Sequence, residues 1–273
     1  AVARGEEALA LARQARLKEH QALLEVVNNL YYLGDYRRAL ALADEGLKLS
    51  AQARRRQIQF LNAKGVTLAR IGRADDALKV LRLALSLAQR AGRMGEVAAT
   101  QNNIGDALRT AGRFAAAKQA FGAALRIDRR RADQLGISFD LANLGLTNGF
   151  LGLRERAQGE LRQALALAKR IGAPLNELKS LAGLARLALG AGQLRGARRH
   201  SAQGLVLARR LGLRGWIWRF SLLAGLAERA DGKLSAARKH FEIGLSIVET
   251  LPPRLLPNAL APQIRERRQD LYD

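Results

Sequence analysis

The side chains that most often perform catalysis are few in this sequence and poorly spaced for it. There is no cysteine, and the histidines His20, His200 and His240 show no metal-binding spacing such as H-E-x-x-H. No glycine-rich phosphate-binding loop occurs. Acidic pairs such as Asp75-Asp76 are typical of helix starts, where they favour the positive end of the helix dipole. The sequence therefore predicts no catalytic constellation, no metal site and no cofactor, so this segment is not expected to be an enzyme.

Amide and guanidinium groups offer a different chemistry, the binding of a peptide. Asparagine amides carry both donors and acceptors, so they can pair with an extended backbone whatever its sequence. Arginines such as Arg186 and Arg219 can form charge-assisted bonds with acidic side chains. The alternative is that the asparagines merely fit a crowded interface between helices, and the sequence leaves both interpretations open.

A repeat of about 40 residues must position these side chains. It is marked by six glycines, the first two separated by 38 residues and the others by 40: Gly34, Gly72, Gly112, Gly152, Gly192 and Gly232. Each is followed five residues later by an alanine, and seven residues after that by a small residue next to a leucine. Such a register is typical of a solenoid, in which each unit buries its apolar face only against its neighbours.

Each repeat is predicted to contain two helices joined by a short turn. In the third repeat the pattern predicts one helix over 97–110, with Ile104 and Leu108 on one face, and a second over 114–129 with an apolar stripe. Gly112 lies in the turn, where glycine can adopt the left-handed conformation that ends a helix.

Two motifs recur in this register. A glycine at the eighth position of the first helix appears as Gly65, Gly105, Gly145 and Gly225, and a turn Gly-x-aromatic-x-x-Ala appears at 34–39 and 112–117. Together with the Ala-Leu pairs they resemble tetratricopeptide (TPR) repeats over roughly residues 20–250. The period exceeds the usual value of about 34 residues, so the chain is similar to the long-helix subgroup that includes kinesin light chains. Val27 and Ala185 replace the helix glycine, and the signature tryptophan of the first helix is absent.

The resemblance implies an all-α, right-handed superhelical solenoid of antiparallel helix pairs, with the first helix of each pair on the concave face. Mapping by register then predicts a partner-binding groove, with a polar centre and a basic C-terminal half. Such a groove suits an acidic or amphipathic segment of a protein partner. The predicted groove residues are Asn62, Asn102, Asn103, Asp106, Arg109, Phe139, Asn143, Phe150, Arg186 and Arg219.

The register divides the chain into three parts. Residues 1–18 match the second helix of a truncated repeat, residues 19–250 six helix-pair repeats, and residues 251–273 a proline-rich break followed by a C-terminal capping or connector helix. From this we expect that the segment was cut from a longer array.

The C-terminal helix carries a second resemblance. It is similar to the connector of bacterial proteins that join TPR repeats to a CHAT domain, a caspase-related cysteine protease. The alternative is an ordinary solvating cap helix. The matching positions are Arg265, Arg267, Arg268, Leu271 and Tyr272.

The formal net charge of +22 has two explanations. It is a signal for nucleic-acid binding. It is also expected of a protein from a GC-rich genome, which encodes arginine at many exposed helix positions, and we favour this second explanation. The aromatic and arginine run at 214–220 is suited to stacking on bases, but the i, i+4 spacing of Trp216 and Phe220 favours core packing. No apolar run approaches the length of a membrane helix, so a cytoplasmic protein without a membrane partner is expected.

These observations favour a protein-protein interaction scaffold that holds a peptide or helix of a partner in its groove. The resemblance further implies the regulatory part of a larger bacterial protein such as a CHAT protease. One alternative is a basic solenoid that binds nucleic acid, although no base-reading code recurs once per repeat. Another is the sensor arm of a transcription regulator or a signalling ATPase.

Overall fold

The structure is a computed structural model that describes residues 19–250. These residues form twelve α-helices that follow one another as six pairs, and no strand occurs among them. The predicted all-α helical repeat fold is confirmed. The chain divides into two compact units, the N-terminal unit (residues 1–131) and the C-terminal unit (residues 132–273). The segments predicted over 1–18 and 251–273 lie outside the described residues.

Odd-numbered helices are the first of each pair and even-numbered helices the second. In the N-terminal unit the helices are α1 (Glu19–Tyr32), α2 (Tyr36–Leu49), α3 (Arg54–Arg70), α4 (Ala74–Arg90), α5 (Met94–Thr110) and α6 (Phe114–Arg130). In the C-terminal unit they are α7 (Gln134–Phe150), α8 (Arg154–Arg170), α9 (Pro174–Gly190), α10 (Leu194–Arg210), α11 (Arg214–Ala230) and α12 (Leu234–Thr250). Helix α5 begins three residues before the predicted start, and α6 ends one residue after the predicted end.

Apolar stripes on neighbouring helices form the core of each unit. In the N-terminal unit, Leu23, Val26 and Leu30 of α1 pack with Ala39 of α2 and Phe60 of α3. In the C-terminal unit, leucines of α9 and α10 pack around Phe220 of α11. Each core thus joins three consecutive helices, as expected of a repeat that cannot bury its apolar face alone.

Paired helices approach closely because a large side chain of one helix lies on a glycine of the other. Phe121 of α6 is fully buried against Gly105 of α5, where a Cβ atom would lie only 2.6 Å from the ring carbon Cε1. Phe241 of α12 lies in the same way on Gly225 of α11. This recurring glycine, the twelfth residue of α5 and of α11, is therefore required by packing, since a Cβ there would displace the partner helix.

Gly105→Ala is expected to lower the free energy of unfolding by about 1–3 kcal/mol, because the added methyl group overpacks the contact with Phe121. Gly122→Ala is the matched control, since a Cβ there meets only the end of Arg126 at 3.8 Å. That change should stabilise by about 0.5–1 kcal/mol, as alanine favours the helix. Urea denaturation of both variants provides the measurement. Equal effects of the two substitutions would contradict the packing role of Gly105.

The turn before α7 contains a strained residue. Ala132 has a φ of 54°, and no other non-glycine residue in the described part of the chain has a positive φ. Glycine occupies the equivalent place in other repeats, as at Gly92 and Gly172. The left-handed conformation costs an L-residue with a Cβ about 1–2 kcal/mol relative to the right-handed one.

Ala132→Gly is therefore expected to raise the free energy of unfolding by up to about 1 kcal/mol. The gain is smaller than the full strain because glycine increases the chain entropy of the unfolded state. The midpoint of thermal unfolding should rise. A fall in that midpoint would show that the strain is not relieved.

Candidate partner-binding surfaces

The ten predicted groove residues all lie on first helices, and they divide equally between the two units. Those of the N-terminal unit are on α3 and α5, and those of the C-terminal unit are on α7, α9 and α11. The two units present different chemistry, amides in the first and cation–aromatic pairs in the second.

An amide pair links two neighbouring first helices in the N-terminal unit. Asn103 of α5 donates through Nδ2 to Oδ1 of Asn62 on α3 at 3.0 Å. The Nδ2 of Asn62 donates to Oγ1 of Thr100 at 2.9 Å, and this hydroxyl donates to the carbonyl of Glu96 at 2.7 Å. These bonds fix both side chains. They use one N–H of each amide, so each amide keeps a second N–H for a ligand.

The amide pair lines an open cavity of about 450 Å³, which we call the amide cavity. Its walls come from α1, α3 and α5 and include Tyr31, Tyr32 and Glu96. Burial raises the pKa of the Tyr31 phenol, which therefore stays neutral and can donate a hydrogen bond. Tyr32 is 76% exposed and offers an apolar ring to a ligand. The cavity thus combines backbone-pairing amides with an aromatic end.

A second open cavity, of about 970 Å³, adjoins the first and is lined by arginines, so we call it the arginine cavity. It shares the side chains of Leu24, Asn28 and Gln59 with the amide cavity. Sequence reasoning missed its four arginines, although the run at 54–56 was visible at a helix start. They are Arg54, Arg55, Arg56 and Arg93.

Cations lie over aromatic rings along the first helices of the C-terminal unit. Lys179 Nζ is 3.8 Å from the ring centroid of Phe139, and the guanidinium carbon of Arg186 is 5.8 Å from that of Phe150. Arg219 lies 5.2 Å from the ring centroid of Trp216 and 5.8 Å from that of Trp218. Each pairing holds a long cationic side chain against an aromatic face. These cation–aromatic contacts include four of the predicted groove residues, namely Phe139, Phe150, Arg186 and Arg219.

Not all predicted residues are accessible to a partner. Asn143 is fully buried and Asn102 is only 7% exposed. The prediction that these two amides face a partner is therefore wrong. Asp106 and Arg109 form an ion pair with each other at 2.7 Å and do not line either cavity of the N-terminal unit. All ten residues lie on first helices as the register predicts, but two of the asparagines are buried.

The tryptophan-containing helix is largely accounted for by packing. Trp216 stacks on Phe220 with ring centroids 6.0 Å apart and packs against the core of the C-terminal unit. The prediction of core packing for this pair is confirmed, which weakens the case for base stacking.

Among the described residues no group of three or more His, Asp or Glu side chains could hold a metal ion. Within 19–250 no helix has the length and apolar character needed to cross a membrane.

Comparison with known proteins identifies the class of fold. Residues 56–130, from α3 to α6, match the family model of the tetratricopeptide repeat. No curated protein sequence matches this chain. The fold of the described residues is that of a TPR-like helical repeat array.

Three solved structures illustrate the similarity, which at these identities concerns the fold. A Rap protein complexed with competence and sporulation factor has a TM-score of 0.70 and 16% identity, covering 87% of this chain and 66% of that one. A putative kinesin light chain of Podosopora anserina has a TM-score of 0.56 and 16% identity, covering 70% of this chain and 95% of that one. A signal transduction ATPase with a tetratricopeptide repeat sensor, from Pyrococcus horikoshii, has a TM-score of 0.68 and 13% identity. The match covers 90% of this chain but only 41% of the ATPase.

Asn143→Ala is expected to lower the free energy of unfolding by about 1–3 kcal/mol, because its buried amide makes polar interactions that the variant loses. Asn103→Ala, at a half-buried position, should cost less than about 1 kcal/mol. Chemical denaturation of the two variants compares them directly. A larger loss for Asn103→Ala would contradict the assignment of Asn143 to the interior.

Proposed function

We propose that this chain is a protein-interaction scaffold whose N-terminal unit binds an extended segment of a partner along its first helices. The observation that carries the proposal is the hydrogen-bonded pair of Asn62 and Asn103 on the wall of an open cavity. Their remaining donors and acceptors suit the peptide groups of an extended chain, which demands no particular ligand sequence.

The pre-ordering of the amides supports this role. Because each amide is already held by a neighbour, little side-chain entropy is lost when a ligand binds. The similarity in fold to a Rap protein that was crystallised with competence and sporulation factor gives further support. The cationic groups of Lys179, Arg186 and Arg219 favour a partner with acidic or amphipathic character.

We further propose that the scaffold is the regulatory part of a larger bacterial protein. The resemblance of residues 265–272 to the connector of CHAT proteases supports this, and so does the similarity in fold to the sensor of a signalling ATPase. The coding sequence that follows Asp273 tests it. A protease domain with a His and a Cys supports the CHAT version, whereas a helix-turn-helix domain or an ATPase domain supports the alternatives.

The proposed groove is tested with peptides selected from a random displayed library on the whole chain. The double variant Asn62→Ala/Asn103→Ala should bind the selected peptides about tenfold more weakly in calorimetry, because two hydrogen bonds are lost. The matched control is Gln119→Ala, an amide removed from the exposed face of the second helix α6. Unchanged affinity of the double variant would exclude the amide pair as the binding surface.

A further inference from the structure

We propose that the N-terminal unit recognises acidic side chains of its ligand at the arginine cavity, which fixes the orientation of the bound segment. The proposal rests on the proposed function, since it names the chemistry of the segment that the groove takes. The four arginines come from two places in the fold. Arg54, Arg55 and Arg56 form the first turn of α3, and Arg93 immediately precedes α5.

The charge of this cavity is only partly neutralised by the protein. The carboxylate of Glu96 is shared between Arg55 Nε and Arg93 Nη1, each 3.5 Å from Oε1. Within the described part of the chain, Arg54 and Arg56 have no ion pair. Among the described residues that line the cavity, Glu25 is the one carboxylate. Four guanidinium groups therefore face two carboxylates, which leaves an excess of two positive charges for a ligand.

The position of these arginines is unfavourable for the helix itself. Cations at a helix N-terminus oppose the dipole, and two helices of this unit have acids there instead, namely Asp75 and Asp76 in α4 and Glu96 in α5. Helix α3 has no acidic residue in its first turn. Helix α2 also has arginines in its first turn, but its N-cap Asp35 accepts from Arg38 N and pairs with the Arg38 guanidinium, whereas the N-cap of α3 is Ala53 and supplies no side-chain acceptor. An uncompensated run of three arginines at a helix start is a local violation of the kind expected at functional sites. An anionic ligand would offset the repulsion.

The two cavities define a groove with distinct ends. Their shared lining by Leu24, Asn28 and Gln59 makes them continuous. From Arg55 in the arginine cavity to Val66 in the amide cavity, α3 rises about 17 Å, which equals about five residues of extended chain. Tyr31 and Tyr32 lie in the amide cavity. The groove therefore suits a segment with acidic residues at one end and an apolar side chain about five residues away.

A polypeptide fits this groove better than a nucleic acid does. A phosphate backbone presents a negative charge at every nucleotide, but no lysine or arginine is among the described residues that line the amide cavity, and the carboxylate of Glu96 is one of them. Asn62 and Asn103 offer neutral donors and acceptors there, which suit peptide groups. Cationic recognition is thus confined to one end.

The test uses the whole chain and two short labelled peptides. One has consecutive aspartates followed about five residues later by a phenylalanine, and the other has asparagine in place of each aspartate. Fluorescence anisotropy at moderate salt should show that the aspartate peptide binds about tenfold more tightly. Arg55→Glu/Arg56→Glu should abolish this preference, and the new acids favour the dipole of α3, so the variant should fold.

The control variant Arg82→Glu/Arg126→Glu makes the same change of charge at exposed positions on the second helices α4 and α6. It should keep the preference. An equal loss in the control would overturn the proposal in favour of bulk charge. Failure of the aspartate peptide to bind would overturn it too. Displacement of the aspartate peptide by a single-stranded oligonucleotide that binds more tightly would also overturn it. If both peptides bind equally and Asn62→Ala/Asn103→Ala weakens both, the arginine proposal fails while the proposed function stands.

Discussion

The close approach of neighbouring helices depends on phenylalanine rings that lie on glycines. Phe60 lies on Gly46, Phe121 on Gly105 and Phe220 on Gly204, and these rings are the largest fully buried side chains of the described residues. A Cβ on any of these glycines would push two helices apart, because protein interiors have little free volume. Such contacts hold α3, which carries Asn62, against α2 and hold α5, which carries Asn103, against α6. The placement of the amide pair therefore depends on packing against the second helices of the repeats.

Much of the fold could be predicted because the same constraint recurs in each repeat. The glycine that receives Phe121 and the glycine at the following turn both appear in the sequence at a fixed period, so the helix pairs could be assigned before any contact was known. The start of α5 was placed three residues late because Met94, Gly95 and Glu96 show no apolar periodicity. The contact of Phe60 with Gly46 was only half visible, since the small residue at 46 belongs to the register but the ring that lies on it comes from the first helix of the next repeat.

The candidate site was less predictable because burial depends on neighbouring repeats. Asn103 and Asn143 occupy equivalent positions, 40 residues apart, yet the first lines an open cavity and the second is fully buried. Ala63, a small side chain on the neighbouring helix, leaves room beside Asn103. The sequence register predicts only the helix and the face on which a residue lies. It does not predict how deeply that residue is buried, because burial depends on side chains that differ from repeat to repeat.

The net charge of +22 becomes informative only when each cation is placed on its helix. Many arginines stand where a helix benefits from them, in the last turn, as Arg90 does in α4 and Arg170 in α8. Others are used in ion pairs between elements, such as Arg198 with Glu228 and Asp231. Such residues need no ligand to explain them. The arginines at the start of α3 have neither explanation, since their helix disfavours them and, among the residues that the structure describes, only Arg55 of the three has an ion pair, with a carboxylate that it shares. Position relative to the helix dipole thus distinguishes arginines that the fold explains, such as Arg90 and Arg170, from those at the start of α3, which it does not explain.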